Sequence, residues 1–115
     1  MINLPLAELR SLSTSPTIIG EDITFILLAK TPTCAQCRMN KMFLDELAPD
    51  YHTIPVTTID MTKVQSSGDL AKVVRRIPTT FLAKGSVIYY QKEGMMTRKE
   101  VKELMDLAQN VQRQS

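Results

Sequence analysis

Residues 23–44 read ITFILLAKTPTCAQCRMNKMFL, an apolar run, then a loop containing proline, then two cysteines separated by two residues. The run Ile23, Thr24, Phe25, Ile26, Leu27, Leu28, Ala29 is far shorter than the roughly 20 residues that span a bilayer. Its continuity suits a central strand covered on both faces. Lys30 to Thr33, with Pro32 inside, forms a loop, and Cys34 opens a segment of helical spacing through Leu44 that ends before Pro49. Cys34 therefore stands where a strand hands over to a helix, so unpaired backbone N–H groups and the positive end of the helix dipole face its sulfur. A thiolate is favoured there, and the thiolate is the form that attacks a disulfide. Cys37 follows nearly one turn later, close enough to attack a mixed disulfide made by Cys34.

Working outward, leucines at 6, 9 and 12, with Pro5 early and Asn3 as a cap, predict a short first helix within Leu4 to Leu12. Ser13 to Pro16 breaks it, and Gly20 to Asp22 turns the chain into the central strand. Beyond the cysteines, the β-branched residues between Tyr51 and Asp60 predict a second strand despite Pro55. Strand, helix, strand implies a parallel crossover. Ser67 to Arg76 predicts a helix stopped by Ile77 and Pro78. Thr79 to Ala83, a Lys84-Gly85 turn and Val87 to Gln91 predict a β-hairpin. Thr97 followed by Glu100 is a capping box, and Val101, Leu104, Met105 and Ala108 form the apolar face of a closing helix. Met39, Met42 and Met105 read as core filling.

The chain has 115 residues, 43% apolar and 23% charged. That is ordinary globular usage and suits one hydrophobic core. A single domain over 1–115 is expected, with 1–22 as an N-terminal helix and turn and 109–115 as a frayed tail. A net charge of +2 is too small to imply nucleic acid or an anionic membrane as a partner. Met1 to Arg10 lacks the basic-then-apolar pattern of a signal peptide, so a cytoplasmic location is expected. Two cysteines are too few for a multiply bridged secreted scaffold, which leaves a redox pair or part of a metal site. A closed zinc site needs four ligands. With His52 the sole histidine, a site within one chain would need carboxylates, and a site shared by two chains stays open. His52 itself reads as a surface or boundary residue, and Arg75-Arg76 as a solvated helix end.

With these elements in place, the chain resembles the thioredoxin family from about Ile23 to about Leu107. The resemblance is carried by the strand before Cys34-Ala35-Gln36-Cys37, by Arg38, by Ile59-Asp60 at the end of the next strand, and by Ile77-Pro78-Thr79. Lys84-Gly85 and Gly94 before the last helix add to it. It implies an α/β thioredoxin fold, a central mixed sheet flanked by helices. It also implies that Ile77-Pro78 is cis beside the sulfurs, and that Thr33, Ile77, Pro78 and Thr79 bind substrate. Departures accompany the matches. Thr33 and Ala35-Gln36 replace the family's Trp and Gly-Pro, and Leu28 and Val56 replace a buried Asp and its Lys neighbour.

The function this implies is thiol-disulfide exchange, mainly reduction of protein disulfides. Cys34 is the nucleophile and Cys37 the resolving thiol, with no metal and no cofactor beyond the Cys34–Cys37 disulfide, and with a thioredoxin reductase as electron donor. Reduction as the direction follows from a reducing compartment. A glutaredoxin-like, glutathione-dependent enzyme is disfavoured by the lack of a Gly-Gly-type loop at Glu93 to Thr97. The remaining alternative is a non-enzymatic binding module on the same fold.

Overall fold

The computed structural model describes residues 3–114. The chain runs α1 (Leu6–Leu12), β1 (Thr24–Lys30), α2 (Ala35–Leu47), β2 (Val56–Asp60), α3 (Asp69–Val73), β3 (Thr79–Lys84), β4 (Val87–Glu93) and α4 (Arg98–Arg113). The strands form one mixed sheet in the order β2-β1-β3-β4. β1 is parallel to β2 and antiparallel to β3, and β3 is antiparallel to β4. This is the thioredoxin fold, with helices on both faces of the sheet.

The uniform apolarity of β1 has a direct cause, since residues 24–29 are all buried. Successive side chains of a strand point to opposite faces. Phe25, Leu27 and Ala29 enter a core that includes Leu9 of α1 and Leu70 of α3. Ile26 enters the other core with Phe43 and Leu44 of α2 and Leu104 and Met105 of α4. Ala29 pairs in register with Thr79, Lys30 with Asp60, and Thr79 with Glu93. The loops that follow β1 and β4 and the one that precedes β3 therefore gather at one end of the sheet, together with the N-terminus of α2.

Several expected boundaries move. β2 begins at Val56, and Tyr51 lies in a 3₁₀ turn, Ala48–Tyr51. Pro55 has no N–H to contribute to a ladder, and its carbonyl accepts the Ile26 N–H at 2.9 Å, so regular pairing with β1 starts just after it. α3 covers only Asp69–Val73, because Val74 turns extended (φ −95°, ψ 103°) and buries its side chain. The hairpin connection is Gly85-Ser86, with Lys84 still in β3. Gly85 has φ +59°, and a Cβ there would meet the Glu21 carbonyl oxygen at 2.2 Å. Only glycine fits that contact.

The tail expected to fray continues α4 to Arg113, and Val111, 3% exposed, extends the apolar face of that helix. Of that tail only residue 115 lies outside the described residues, as do residues 1 and 2 of the N-terminal segment. Met39 and Met42 are not core filling. The inner face of α2 is Cys37, Asn40, Phe43 and Leu44, and helical phase turns the two methionines outward, 38% and 42% exposed, whereas Met105 is fully buried. The Thr97–Glu100 capping box forms in both directions.

Candidate active site

The first turn of α2 sets the geometry of the pair. Cys34 is the N-cap, with extended backbone (φ −87°, ψ 109°), and its Sγ accepts the Cys37 N–H at 3.0 Å. One of the helix's unpaired donors is thus aimed at the sulfur. The two sulfurs are bonded to each other, with Cα atoms 5.2 Å apart. Their exposure differs: Cys34 is half-buried at the rim, whereas Cys37 is 1% exposed. Of the two, Cys34 is the one open to solvent.

On one flank of the pair lies the segment before β3. The Ile77–Pro78 bond is cis. Thr79, fully buried, donates its hydroxyl to the Arg76 carbonyl at 2.5 Å, and the Pro78 carbonyl accepts the Gly94 N–H at 2.8 Å. Gly94 holds φ +87°, which glycine adopts without strain. Ile77 is half-buried, and neither its N–H nor its carbonyl has a partner among the described residues. Thr33 is exposed beside Pro32 in the loop leading to Cys34. Arg75 and Arg76 are also exposed, in the loop beyond the shortened α3. His52 lies exposed in the turn before β2.

One residue that sequence reasoning did not select completes this flank. Asn40 is fully buried; its Oδ1 accepts the Met96 N–H at 2.8 Å and its Nδ2 donates to the Gly94 carbonyl at 3.2 Å. It ties the cysteine helix to the segment that holds Pro78. A polar residue three positions after Cys37, on the face of α2 that also carries Phe43 and Leu44, was the available signal.

The other flank is open. A cleft of about 720 Å³ runs between α2 and the ends of β1 and β2, lined by Cys37, Arg38 and Lys41 of the helix and by Lys30, Thr31 and Thr58. Lys41 is paired with Asp45 at 2.7 Å. Among the described residues, neither Lys30 nor Arg38 has a carboxylate within 4 Å. Asp60, the register partner of Lys30, has its carboxyl held below the usual range, first by the Thr62 hydroxyl and amide and then by the nearby Lys63 and Lys30 charges. Next to Thr58 in register is Leu28, fully buried, with Thr80 on its other side. The Thr80 hydroxyl is buried without a partner. Among the described residues no three His, Cys, Asp or Glu side chains cluster as metal ligands, and no helix is long and apolar enough to cross a membrane.

The same fold recurs in solved structures. Mitochondrial thioredoxin 3 of Saccharomyces cerevisiae, in its oxidised form, superimposes with a TM-score of 0.65 at 21% identity over 88% of each chain. Thioredoxin-2 of the malaria parasite, described as a component of its protein secretion machinery, gives 0.62 at 22% identity over 76% of this chain and 82% of that one. Thioredoxin O1 of Arabidopsis thaliana, oxidised, gives 0.64 at 18% over 79% and 82%. These likenesses show the fold. No curated protein sequence matches the chain significantly. The sequence pattern named Thioredoxin, however, matches residues 14–107. A match over that much of the sequence settles the kinship, and the chain belongs to the thioredoxin family.

Proposed function

We propose that this protein is a thiol-disulfide oxidoreductase that mainly reduces disulfides in protein substrates. The observation that carries this reading is the asymmetry of the pair: Cys34 reaches the rim with its sulfur at a helix N-terminus, while Cys37 is buried behind it. In the dithiol state the Cys34 thiolate attacks a substrate disulfide. A mixed disulfide forms and one substrate thiolate leaves. Cys37, once deprotonated, attacks the Cys34 sulfur, releases the second substrate thiolate and closes the Cys34–Cys37 bond. Two electrons pass to the substrate, and the protons go to the two departing thiolates.

The unpaired backbone groups of Ile77 support the substrate-binding part of the reading, because an extended chain lying along Ile77-Pro78 pairs with them as an added strand. Pro78 and Thr79 hold that segment in place, and Thr33 forms the opposite lip. The pair works without a cofactor, in a reducing, cytoplasmic setting, and a thioredoxin reductase is the proposed donor. No nucleic acid or membrane partner is included in this reading. Reduction of insulin disulfides by dithiothreitol tests the catalytic claim, and reduction by a thioredoxin reductase with NADPH tests the donor. The protein is expected to accelerate the first well above the dithiothreitol background. A rate equal to background would overturn the reading.

A further inference from the structure

Arg75 and Arg76 stand immediately before Ile77, exposed, and neither has a carboxylate within 4 Å among the described residues. Building on the exchange reading above, we infer that these two arginines make the protein selective among protein disulfides, favouring substrates whose reactive cysteine lies a few residues from Asp or Glu in an extended segment.

Three observations converge on that selectivity. The first is placement. The Ile77 N–H and carbonyl are unpaired among the described residues, and an extended chain that pairs with them advances roughly 3.3 Å per residue. Arg76 is the adjacent residue, so substrate positions close to the pairing point come within reach of its long, exposed side chain. The second is fixity. Val74 is buried and its N–H donates to the Leu70 carbonyl at 2.9 Å, while the Arg76 carbonyl accepts the Thr79 hydroxyl at 2.5 Å. The two arginines thus sit on a short span held at both ends, which lowers the ordering cost of engaging a bound segment. The third is charge. Residues 33–39 and 74–80, which carry the cysteines and the binding edge, contain Arg38, Arg75 and Arg76 and no Asp or Glu. Glu93, in register with Thr79, lines a shallow groove with Arg75, and Lys72 in that groove is 3.6 Å from Asp69. Setting Glu93 against Arg75 still leaves Arg76 without a carboxylate partner, so the edge favours an acidic segment over a basic one.

The arginines act on capture of the substrate and leave the exchange at Cys34 as described above. A guanidinium meets a carboxylate with paired N–H donors, a geometry that lysine does not reproduce. Exposed pairs of this kind are individually weak and screened by salt. The outcome is therefore a graded, salt-sensitive preference and not an absolute requirement.

Three peptides that share one disulfide and differ only in the residues flanking the cysteines, acidic, neutral or basic, should be reduced by the dithiol protein in that order of second-order rate constant. At low salt the acidic-to-neutral ratio should be on the order of threefold to tenfold, and it should shrink at about 0.5 M salt. Arg75→Gln/Arg76→Gln should bring the ratio close to one, and Glu93→Gln, which removes a carboxylate from the same groove, should widen it. Equal rates for acidic and neutral peptides with the wild type, or equal proportional losses on all three peptides in the double variant, would overturn the inference. The neutral peptide reports separately on the exchange reading: if the wild type reduces it no faster than the uncatalysed rate, that reading fails and the selectivity falls with it.

Discussion

The two flanks of the cysteine helix are built on different plans. On the Pro78 side, Thr79 is tied to Arg76, Pro78 to Gly94, and Gly94 and Met96 to Asn40, all by hydrogen bonds of 2.5–3.2 Å. On the Lys30 side, an open cleft is lined by charged side chains, and apolar Leu28 lies beside Thr58 in register. One flank presents a fixed backbone edge, with the Ile77 N–H and carbonyl unpaired among the described residues. The other presents an open cleft lined by charged side chains. Each plan is open to disruption by itself.

The largest effect short of altering the cysteines is expected from Asn40→Ala. It leaves the Met96 N–H buried without an acceptor and frees Gly94, a change of about 2–3 kcal/mol in stability. Urea unfolding measures this. Because Gly94 anchors Pro78, turnover of insulin should fall further than reduction of the oxidised pair by 2-mercaptoethanol. Equal losses for both would break the distinction between the flanks.

Leu28→Asp tests the open side. The carboxyl would be buried, with only the Thr58 and Thr80 hydroxyls beside it in register, and destabilisation of roughly 1–3 kcal/mol is expected at neutral pH. Its sign follows from linkage: a carboxyl held protonated in the folded state has a raised folded pKa. The penalty is therefore smallest at low pH and grows as pH rises above the unfolded value of about 3.9. Melting curves at pH 3 and pH 7 should show the gap to wild type opening at the higher pH. In the wild-type dithiol, with Leu28 and Val56 in place of a charged pair, thiolate absorbance of Cys34 should rise in one step. A two-step curve would point to a coupled acid near the sulfur.

The smallest effect lies at the start of α4, behind the Asn40 anchor. Thr97→Ala should cost about 1 kcal/mol. Glu100 is held below the ordinary carboxylate range, first by the Thr97 N–H and then by Lys92. Its contribution is present above an unfolded value of about 4.3 and is lost as pH falls through the lower folded one. Glu100→Gln should therefore narrow the stability difference between pH 3 and pH 7.

Much of this architecture is legible in the sequence because local and tertiary demands agree. The unbroken run of β1 announces burial on both faces, Ile77-Pro78-Thr79 marks the entry to β3, and Thr97 with Glu100 marks the start of α4. The misread boundaries are places where distant partners decide. Pro55 delays β2 through a bond to Ile26, and Val74 leaves α3 early to reach the core. Val111 is one apolar residue in a polar tail, and only the continued phase of Val101, Leu104, Met105 and Ala108 shows that α4 extends to it. Met39 and Met42 depart from the core expectation because the phase of α2, set by Cys37, Asn40, Phe43 and Leu44, turns them outward. Asn40 shows in the sequence only as a polar residue on the inner face of α2, and its partners at Gly94 and Met96, like the Cys37 cleft, depend on segments brought together from far along the chain.

The most direct test of the assigned roles is to trap the exchange itself. Cys37→Ser and Cys34→Ser proteins are each mixed with a disulfide-bonded peptide, quenched with acid and analysed by mass spectrometry. The account predicts a lasting mixed disulfide on Cys34 in the Cys37→Ser protein, and little or no adduct together with loss of insulin reduction in the Cys34→Ser protein. Full reductase activity in Cys34→Ser, or the absence of an adduct in Cys37→Ser, would contradict it.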